Sequence, residues 1–513
     1  MTTYTRANAW NNGGTFNNPD LLWYAKGVGV MQSRALNDES SWWFFAAIHG
    51  EYITGEPAFP GWGFIPGPPQ VPTTPVPAQN VQDLYWDQCQ HQTWYFPPWH
   101  RGYLIALEAQ IRAAVISLNG PQTWSLPYWN YFGPDDQNEI PPAFTEQNLP
   151  DGSPNPLFVE ARYGRNGVVF VRIPPVSEAC QTNTVYTGTN PATPPPGYGG
   201  PETTFWHGGG NQRGGNLESN PHNLVHGQVG GNAPDGETWG LMSDPGLAAL
   251  DPVFYLHHCN IDRLWAAWNQ NGNSNSNDSN WLNGPAAGGD REFAMPMPDG
   301  SSWVYTPNDV NSLIQLDYNY DDLSTAAPVQ PLSVLSQRLR RLGVAPGAAA
   351  TAAAAGVNME SEVNPELIGT HDGAIKLKSS GARATVKFDS NARGAMAASL
   401  SDASEVKLPD RVYLQLENVR GNRDSYELSV SVNQQRAGTV SLFGLRRASL
   451  KDGQHGGEGL TFVFDITNII DNLFLDNALD LDSLDVRVVP DQAMAESADI
   501  TIGRVSVYRQ PSQ

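Results

Sequence analysis

The sequence predicts a mainly α unit with a four-helix bundle core and long irregular loops, followed by an all-β unit of sandwich or jelly-roll type. Three observations carry this. Two segments, His91–Glu108 and Asp251–Asp262, open stretches in which apolar residues recur at three- and four-residue spacing, the period of a half-buried helix. From Leu323 to about 365 the character changes, and Ala345 to Gly356 is an Ala/Gly/Pro run that reads as a linker. Beyond it, apolar and polar residues alternate with period 2 in about eight short runs, as strands require. The expected division is 1–323, 324–365 and 366–513, because 513 residues exceed one ordinary core.

Helices are expected at about 38–49, with Asp38 or Ser40 as N-cap, and at 98–118, between Pro97-Pro98 and the stop Asn119-Gly120. Two more fall at 220–228 and at 252–269, the latter with Asp251 as N-cap and Pro252 in its first turn. Residues 56–80 and 184–216 read as irregular, the first because five prolines from Pro57 to Pro69 exclude regular helix. In the linker, Ser336–Leu342 can form one short amphipathic helix. The strands fall at 375–377, 384–388, 412–416, 426–432, 439–443, 460–464, 486–489 and 500–508.

A net charge of −22 argues against nucleic-acid or anionic-membrane partners. Cys89, Cys180 and Cys259 are too few for a disulfide framework and form no Cys-x-x-Cys zinc signature. Neither a Sec-type leader nor an apolar run of ~18 residues is present, so a soluble chain is expected, cytoplasmic as encoded unless exported by another route.

All four helices carry histidine. Counting forward from His100, residues Leu104, Leu107, Ile111, Ala114 and Leu118 share its face; in the second segment Phe254, His258, Ile261, Trp265 and Trp268 do the same. His257 lies about 100° off that stripe, which marks it as a packed neighbour, and His222 and His226 are one turn apart. An imidazole in an apolar stripe needs a partner. His49, His91, His100, His222, His226 and His258 together suggest a buried centre of two metals with three imidazoles each. Such a ligand set favours copper, with zinc or di-iron left open by spacing alone.

The segment with His91, Phe96, Trp99, His100, Arg101, Leu104 and Glu108 resembles the copper A signature of tyrosinases and polyphenol oxidases. Asp251, Pro252, Phe254, His258 and Asp262 resemble the copper B signature. The resemblance covers roughly 1–323 and implies copper A on His49, His91 and His100, and copper B on His222, His226 and His258. It implies an oxidase that uses two copper ions and dioxygen to hydroxylate small phenols at the ortho position and oxidise catechols to o-quinones. Catechol oxidase, o-aminophenol oxidase and, as a different class, a hemocyanin-like dioxygen carrier share such a site. A zinc hydrolase using a subset of the histidines is the remaining alternative.

The same resemblance marks further residues. Glu218 and Asn223 look like the pair that holds a proton-accepting water in phenol-hydroxylating members, and Cys89 stands where many members join sulfur to the His91 ring. Phe254, Gly227, Met242 and Pro245 are candidates for the pocket wall and rim. Asp251 and Asp262 are expected to orient ligands or to pair with Arg263 or Arg101, and His207 and His455 to be loop and surface residues. Tyr318-Asn-Tyr320 resembles the family's domain-end motif, with Arg6 as its cationic partner. In relatives with a β-rich C-terminal domain a side chain plugs the copper site, and the apolar turn at Leu442-Phe443-Gly444-Leu445 offers Phe443 or Leu445 for that place.

Overall fold

The computed structural model describes residues 4–511 apart from 55–59, 189, 206–212, 326–330, 357–363, 403–408 and 452–456. Strand β1 (Tyr4–Arg6) precedes α1 (Pro19–Gln32), α2 (Trp42–His49), α3 (Gln79–Tyr85), α4 (Phe96–Ser117), α5 (Asn223–Gly230) and α6 (Val253–Gln270). Each predicted helix is present with shifted ends. Helix α2 starts later than expected because the Asp38 carboxylate closes a turn on Ser40, leaving the Ser41 hydroxyl to accept from Phe44 N–H at 3.0 Å. Helix α4 starts at Phe96, since prolines at its second and third positions need no partner for N–H. It ends before Leu118, which is 42% exposed and so leaves the expected stripe. Helix α5 starts at Asn223, and the preceding residues Glu218–His222, containing Pro221, wind as a single wider turn. Asp251 does cap α6, its carboxylate accepting from Val253 N–H at 3.0 Å.

Helix α1 carries no histidine and was not anticipated. Asn18 caps it and Leu21, Tyr24, Ala25, Val28 and Met31 are buried. It lies so close to α4 that a Cβ on Gly27 would come within 2.7 Å of Ile111, which explains a glycine in mid-helix. The Tyr24 hydroxyl donates to the Pro252 carbonyl at 2.7 Å and ties α1 to the start of α6.

Helices α4 and α6 are locked by a buried ionic cluster. Asp262 receives Arg101 Nε at 2.5 Å, Arg6 Nη1 at 3.3 Å and both hydroxyls of Tyr318 and Tyr320, while Arg6 Nε also reaches Glu108 at 2.7 Å. Burial pushes the Asp262 carboxyl up, yet Arg101 and Arg6 win and hold it below its usual range. Arg6 lies 3.7 Å from the Tyr318 ring centre, as expected of the Tyr-x-Tyr motif. The remaining small elements are α7 (Ser279–Asn283), β2 (Phe293–Pro296), β3 (Ser302–Tyr305), α8 (Pro307–Val310) and β4 (Tyr318–Tyr320), which pairs in parallel with β1.

Two helices, α9 (Pro331–Arg341) and α10 (Pro346–Gly356), replace the expected short helix and irregular run. Alanine has the highest helix propensity, so the run coils once it is anchored. It is held through α9: Ala349 packs with Leu339 and Val344, and Arg338 of α9 holds Asp471 at 2.8 and 3.0 Å.

The second unit comprises β5 (Glu366–Lys376), β6 (Ala382–Phe388), α11 (Ser390–Asp402), β7 (Arg411–Arg420), β8 (Glu427–Val432), β9 (Gln435–Ser441), α12 (Leu445–Ser449), β10 (Leu460–Asp465), α13 (Thr467–Leu475), β11 (Ser483–Pro490) and β12 (Thr501–Gln510). All eight expected strands form. They join in one antiparallel sheet of order β10-β7-β12-β5-β6-β11-β8-β9 rather than in two separate sheets. The sheet curls until its edges approach, for a Cβ on Gly438 of β9 would meet Phe464 of β10 at 2.9 Å. Its interior, with Leu414, Leu428, Val486, Ile502 and Val505, is a core separate from that of the first unit.

The two units meet through polar contacts around Tyr52, Asp244, Asp424 and the two arginines of α12. Asp244 accepts from Tyr52 Oη at 2.6 Å, Gly246 N–H at 2.9 Å and Trp239 Nε1 at 3.2 Å. Asp424 accepts Arg446 N–H at 2.6 Å, and among the described residues its other oxygen is buried without a donor. Burial, then the facing Asp244 carboxylate, raise the Asp424 carboxyl well above its usual range. The favourable protonated state is therefore present at acid pH and lost as pH climbs past the ordinary carboxylate range. Thermal stability of the intact protein should fall over that rise, and Asp424→Asn should flatten the slope; an unchanged slope would contradict this.

Candidate metal centre

Four buried helices bring the histidines together. His49 closes α2, His100 begins the second turn of α4, His226 lies within α5 and His258 within α6, while His91 and His222 come from the backbone just before α4 and α5. The ligand atoms of His49, Cys89, His91 and His100 lie within 4.8 Å of one another, as do those of His222, His226, His257 and His258. Rings of the two groups touch, His100 and His258 being stacked at 4.3 Å.

Hydrogen bonds select one tautomer ring by ring. The Nδ1 atoms of His49, His100, His222 and His226 pair with the Pro245 carbonyl (2.8 Å), the Phe96 carbonyl (2.8 Å), Asn223 Oδ1 (2.8 Å) and the Met242 carbonyl (2.7 Å). Each of these Nδ1 atoms must carry the proton, because its partner has only lone pairs. Each Nε2 is then a lone pair facing inward. In the second group His258 Nε2 stands 3.3 Å from His222 Nε2 and 3.4 Å from His226 Nε2, and one proton on His258 cannot serve both. A cation at that point satisfies all three. Burial pulls His100 and His226 down to about 3 and drives His222 and His258 well below their usual value, so the rings are neutral, as metal ligands must be. The donor set therefore fits two copper ions.

His257 is a packed neighbour, as its place off the stripe predicts, and a close one. It lies inside the second group and stacks on His222 at 5.3 Å. Neither of its ring nitrogens has a hydrogen-bond partner among the described residues, whereas His258 Nε2 stands within 3.4 Å of both His222 Nε2 and His226 Nε2.

The accessory residues divide. Glu218 does not cap a helix; both its oxygens accept Gln92 N–H, at 2.8 and 2.9 Å, next to His91. Burial pushes its carboxyl up to about 8 against the pull of that N–H. Glu218, Asn223, His91, Pro245, Phe443 and Arg447 line one cleft. Cys89 Sγ is 3.5 and 3.6 Å from the two His91 ring nitrogens and 3.3 Å from His100 Nε2. Phe254 wedges between the groups, 4.2 Å from His258 and 4.8 Å from His49. Phe443 leaves its own unit to join the first core and lies over His226 at 4.2 Å, with His91 and His222 at 5.4 and 5.7 Å.

Three expectations are corrected. Leu445 points into the core of the second unit and covers nothing in the first. Met242 is no rim residue, being fully buried and using its carbonyl for His226. Asp251 pairs with neither Arg263 nor Arg101 but with Arg162, at 2.5 and 2.9 Å. Gly227 lies within α5 under Ser441, whose hydroxyl would be 2.8 Å from an added Cβ. His207 and His455 lie outside the described residues. Sequence reasoning missed the Phe96, Met242 and Pro245 carbonyls and the Gln92 N–H, because backbone groups leave no mark in residue identity. It also missed Arg447, which reaches the cleft from the other unit.

Residues 39–271 match the family described as the common central domain of tyrosinase, and 364–510 match a family described as a domain of unknown function. The chain is 32% identical to "Tyrosinase HcTyr1" of Hahella sp. (strain CCB-MM4), covering 95% of this chain and 96% of that protein. It is 27% identical to polyphenol oxidase II of Ipomoea batatas over 50% of this chain and 41% of that one. Among solved structures, latent aurone synthase (polyphenol oxidase) matches with TM-score 0.56 at 19% identity, over 100% of this chain and 90% of that chain. Latent apple tyrosinase matches with TM-score 0.55 at 19% identity, over 100% and 98%. At that identity the likeness is one of fold. No helix among the described residues is long and apolar enough to cross a membrane.

Removing one ligand of the second group should halve the metal content. Copper-loaded His258→Ala should retain one copper per chain by elemental analysis where His257→Ala retains two; the reverse pattern would overturn the ligand assignment.

Proposed function

The chain belongs to the tyrosinase family, and from that premise we propose that it hydroxylates monophenols at the ortho position with dioxygen and oxidises o-diphenols to o-quinones. The catalytic unit spans 1–323, with His49, His91 and His100 holding one copper and His222, His226 and His258 the other. The observation that carries this reading is the pair of adjacent buried histidine groups, with the Nε2 atoms of His222, His226 and His258 converging in the second. Two copper ions bound there supply the one-electron redox change that dioxygen chemistry needs.

The protein's own residues do the rest. The carbonyls of Pro245, Phe96 and Met242 and the Asn223 amide fix the ring orientations, so nothing has to reorganise around the metals. Phe254 and the surrounding core keep water out. Glu218, with its oxygens at the cleft, is the group to take the phenol proton at Oε1 or Oε2, directly or through one water held with Asn223. A carboxylate of raised proton affinity is the stronger base for that transfer. Cys89, facing the His91 ring, is placed to restrain it, and a sulfur-to-ring bond there would make the restraint permanent.

Phe443 occupies the face of His226 where an aromatic substrate would stack, which makes the intact chain latent. Its ring–ring contact is worth roughly 0.5–1.5 kcal/mol, so Phe443→Ala should raise kcat/KM for catechol in the intact chain by up to about tenfold. Glu218→Gln should lower monophenol hydroxylation by about 100-fold, the scale of one general base, while sparing catechol oxidation. Quinone formation measured with both substrates checks the pair of variants. Turnover of catechol alone by the Phe443→Ala protein would reassign the chain as a catechol oxidase.

A further inference from the structure

The contact between the two units places a carboxylate beside the aromatic ring that covers the metal centre. Glu427 in β8 faces Ser441 in β9, and Ser441 Oγ accepts Phe443 N–H at 3.3 Å, so the carboxylate and the ring leave one hairpin together. While Phe443 lies on His226, Glu427 lies over the next residue, its Oε1 being 3.8 Å from a Cβ built on Gly227. The first unit meets that carboxylate with Arg172, whose Nη2 pairs with Glu427 Oε2. Arg172 Nη1 takes Asp491 Oδ2 at 2.6 Å, and Arg165 Nη1 reaches the same oxygen at 3.4 Å. Gln228 fixes this arrangement by accepting Arg172 N–H at 2.7 Å. Both carboxylates that Arg172 meets among the described residues belong to the second unit. The hairpin thus presents an aromatic ring and, a few atoms away, an anion.

We infer that Arg172, supported by Arg165, forms an anion subsite at the rim of the metal centre that takes the side-chain carboxylate of phenolic acids, and that Glu427 stands in for it in the closed chain. Gly227 leaves the path between ring and guanidinium open, since any side chain there would collide with what Ser441 now occupies. Charge-assisted pairing with arginine is bidentate and directional, so it selects for a carboxylate at one distance from the ring. The inference rests on the reading of the centre as a phenol-binding site. A Glu427 carboxyl that burial pushes up to about 7 fits a group displaced without difficulty near neutral pH.

The test uses the full-length chain carrying Phe443→Ala and Glu427→Gln, which vacates both positions with the second unit in place. Titration calorimetry with 3-phenylpropanoate and with 3-phenylpropanamide, neither oxidisable at the ring, reads binding without turnover. The carboxylate should bind about tenfold tighter than the amide, as one charge-assisted pair provides. Adding Arg172→Gln should erase the difference, and Arg172→Lys should keep part of it. Equal affinities, a preference that survives Arg172→Gln, or no binding of either probe by a chain with an unchanged circular dichroism spectrum would overturn the subsite. Failure of the oxidase reading shows separately, as absence of quinone when the same protein is given catechol.

Discussion

Four buried imidazoles whose Nδ1 protons are committed to fixed acceptors impose the constraint on which the rest of this structure depends. His258 Nε2 meets the lone pairs of His222 and His226 at 3.3–3.4 Å with at most one proton to share among the three, an arrangement left unsatisfied unless a cation sits there. The fold must therefore be rigid enough to hold a geometry that is unfavourable without its metals. Helices rather than loops present four of the six rings, and backbone carbonyls, which cannot rotate away, fix three of them.

That rigidity is reinforced one layer out. Asp262, one turn beyond His258 on α6, gathers Arg101, Arg6, Tyr318 and Tyr320 and so binds the last strand of the unit and its first strand to the helices that carry His100 and His258. Replacing one member would leave the others charged in a buried site, which costs far more than a surface pair would. On the opposite side the second unit contributes Phe443 and Arg447 to the cleft. The centre is thus built from the first unit and closed by the second.

Much of this was legible in the residues. Helical spacing placed His100 and His258 inward, alternation located all eight strands, and the Tyr318-Asn-Tyr320 motif pointed to Arg6. Phe443 lies over His226, whereas at Leu445, two residues further along, the chain turns back into α12 and its own core. What stayed hidden has physical reasons. Helix α1 has apolar residues on much of its surface and a weak stripe, and its close approach to α4 rests on a single glycine. The Ala-rich run looked like a linker because alanine suits both a flexible tether and a helix, and its packing on α9 through Ala349, Leu339 and Val344 leaves no mark in composition.

The central claim, two adjacent copper ions each held by three of these histidines, is tested most directly by electron paramagnetic resonance of the air-oxidised, copper-loaded chain alongside its copper content. Two ions in groups whose rings stack at 4.3 Å should couple, giving two coppers per chain and almost no signal. A signal that accounts for all the copper, or one ion per chain, would contradict the account.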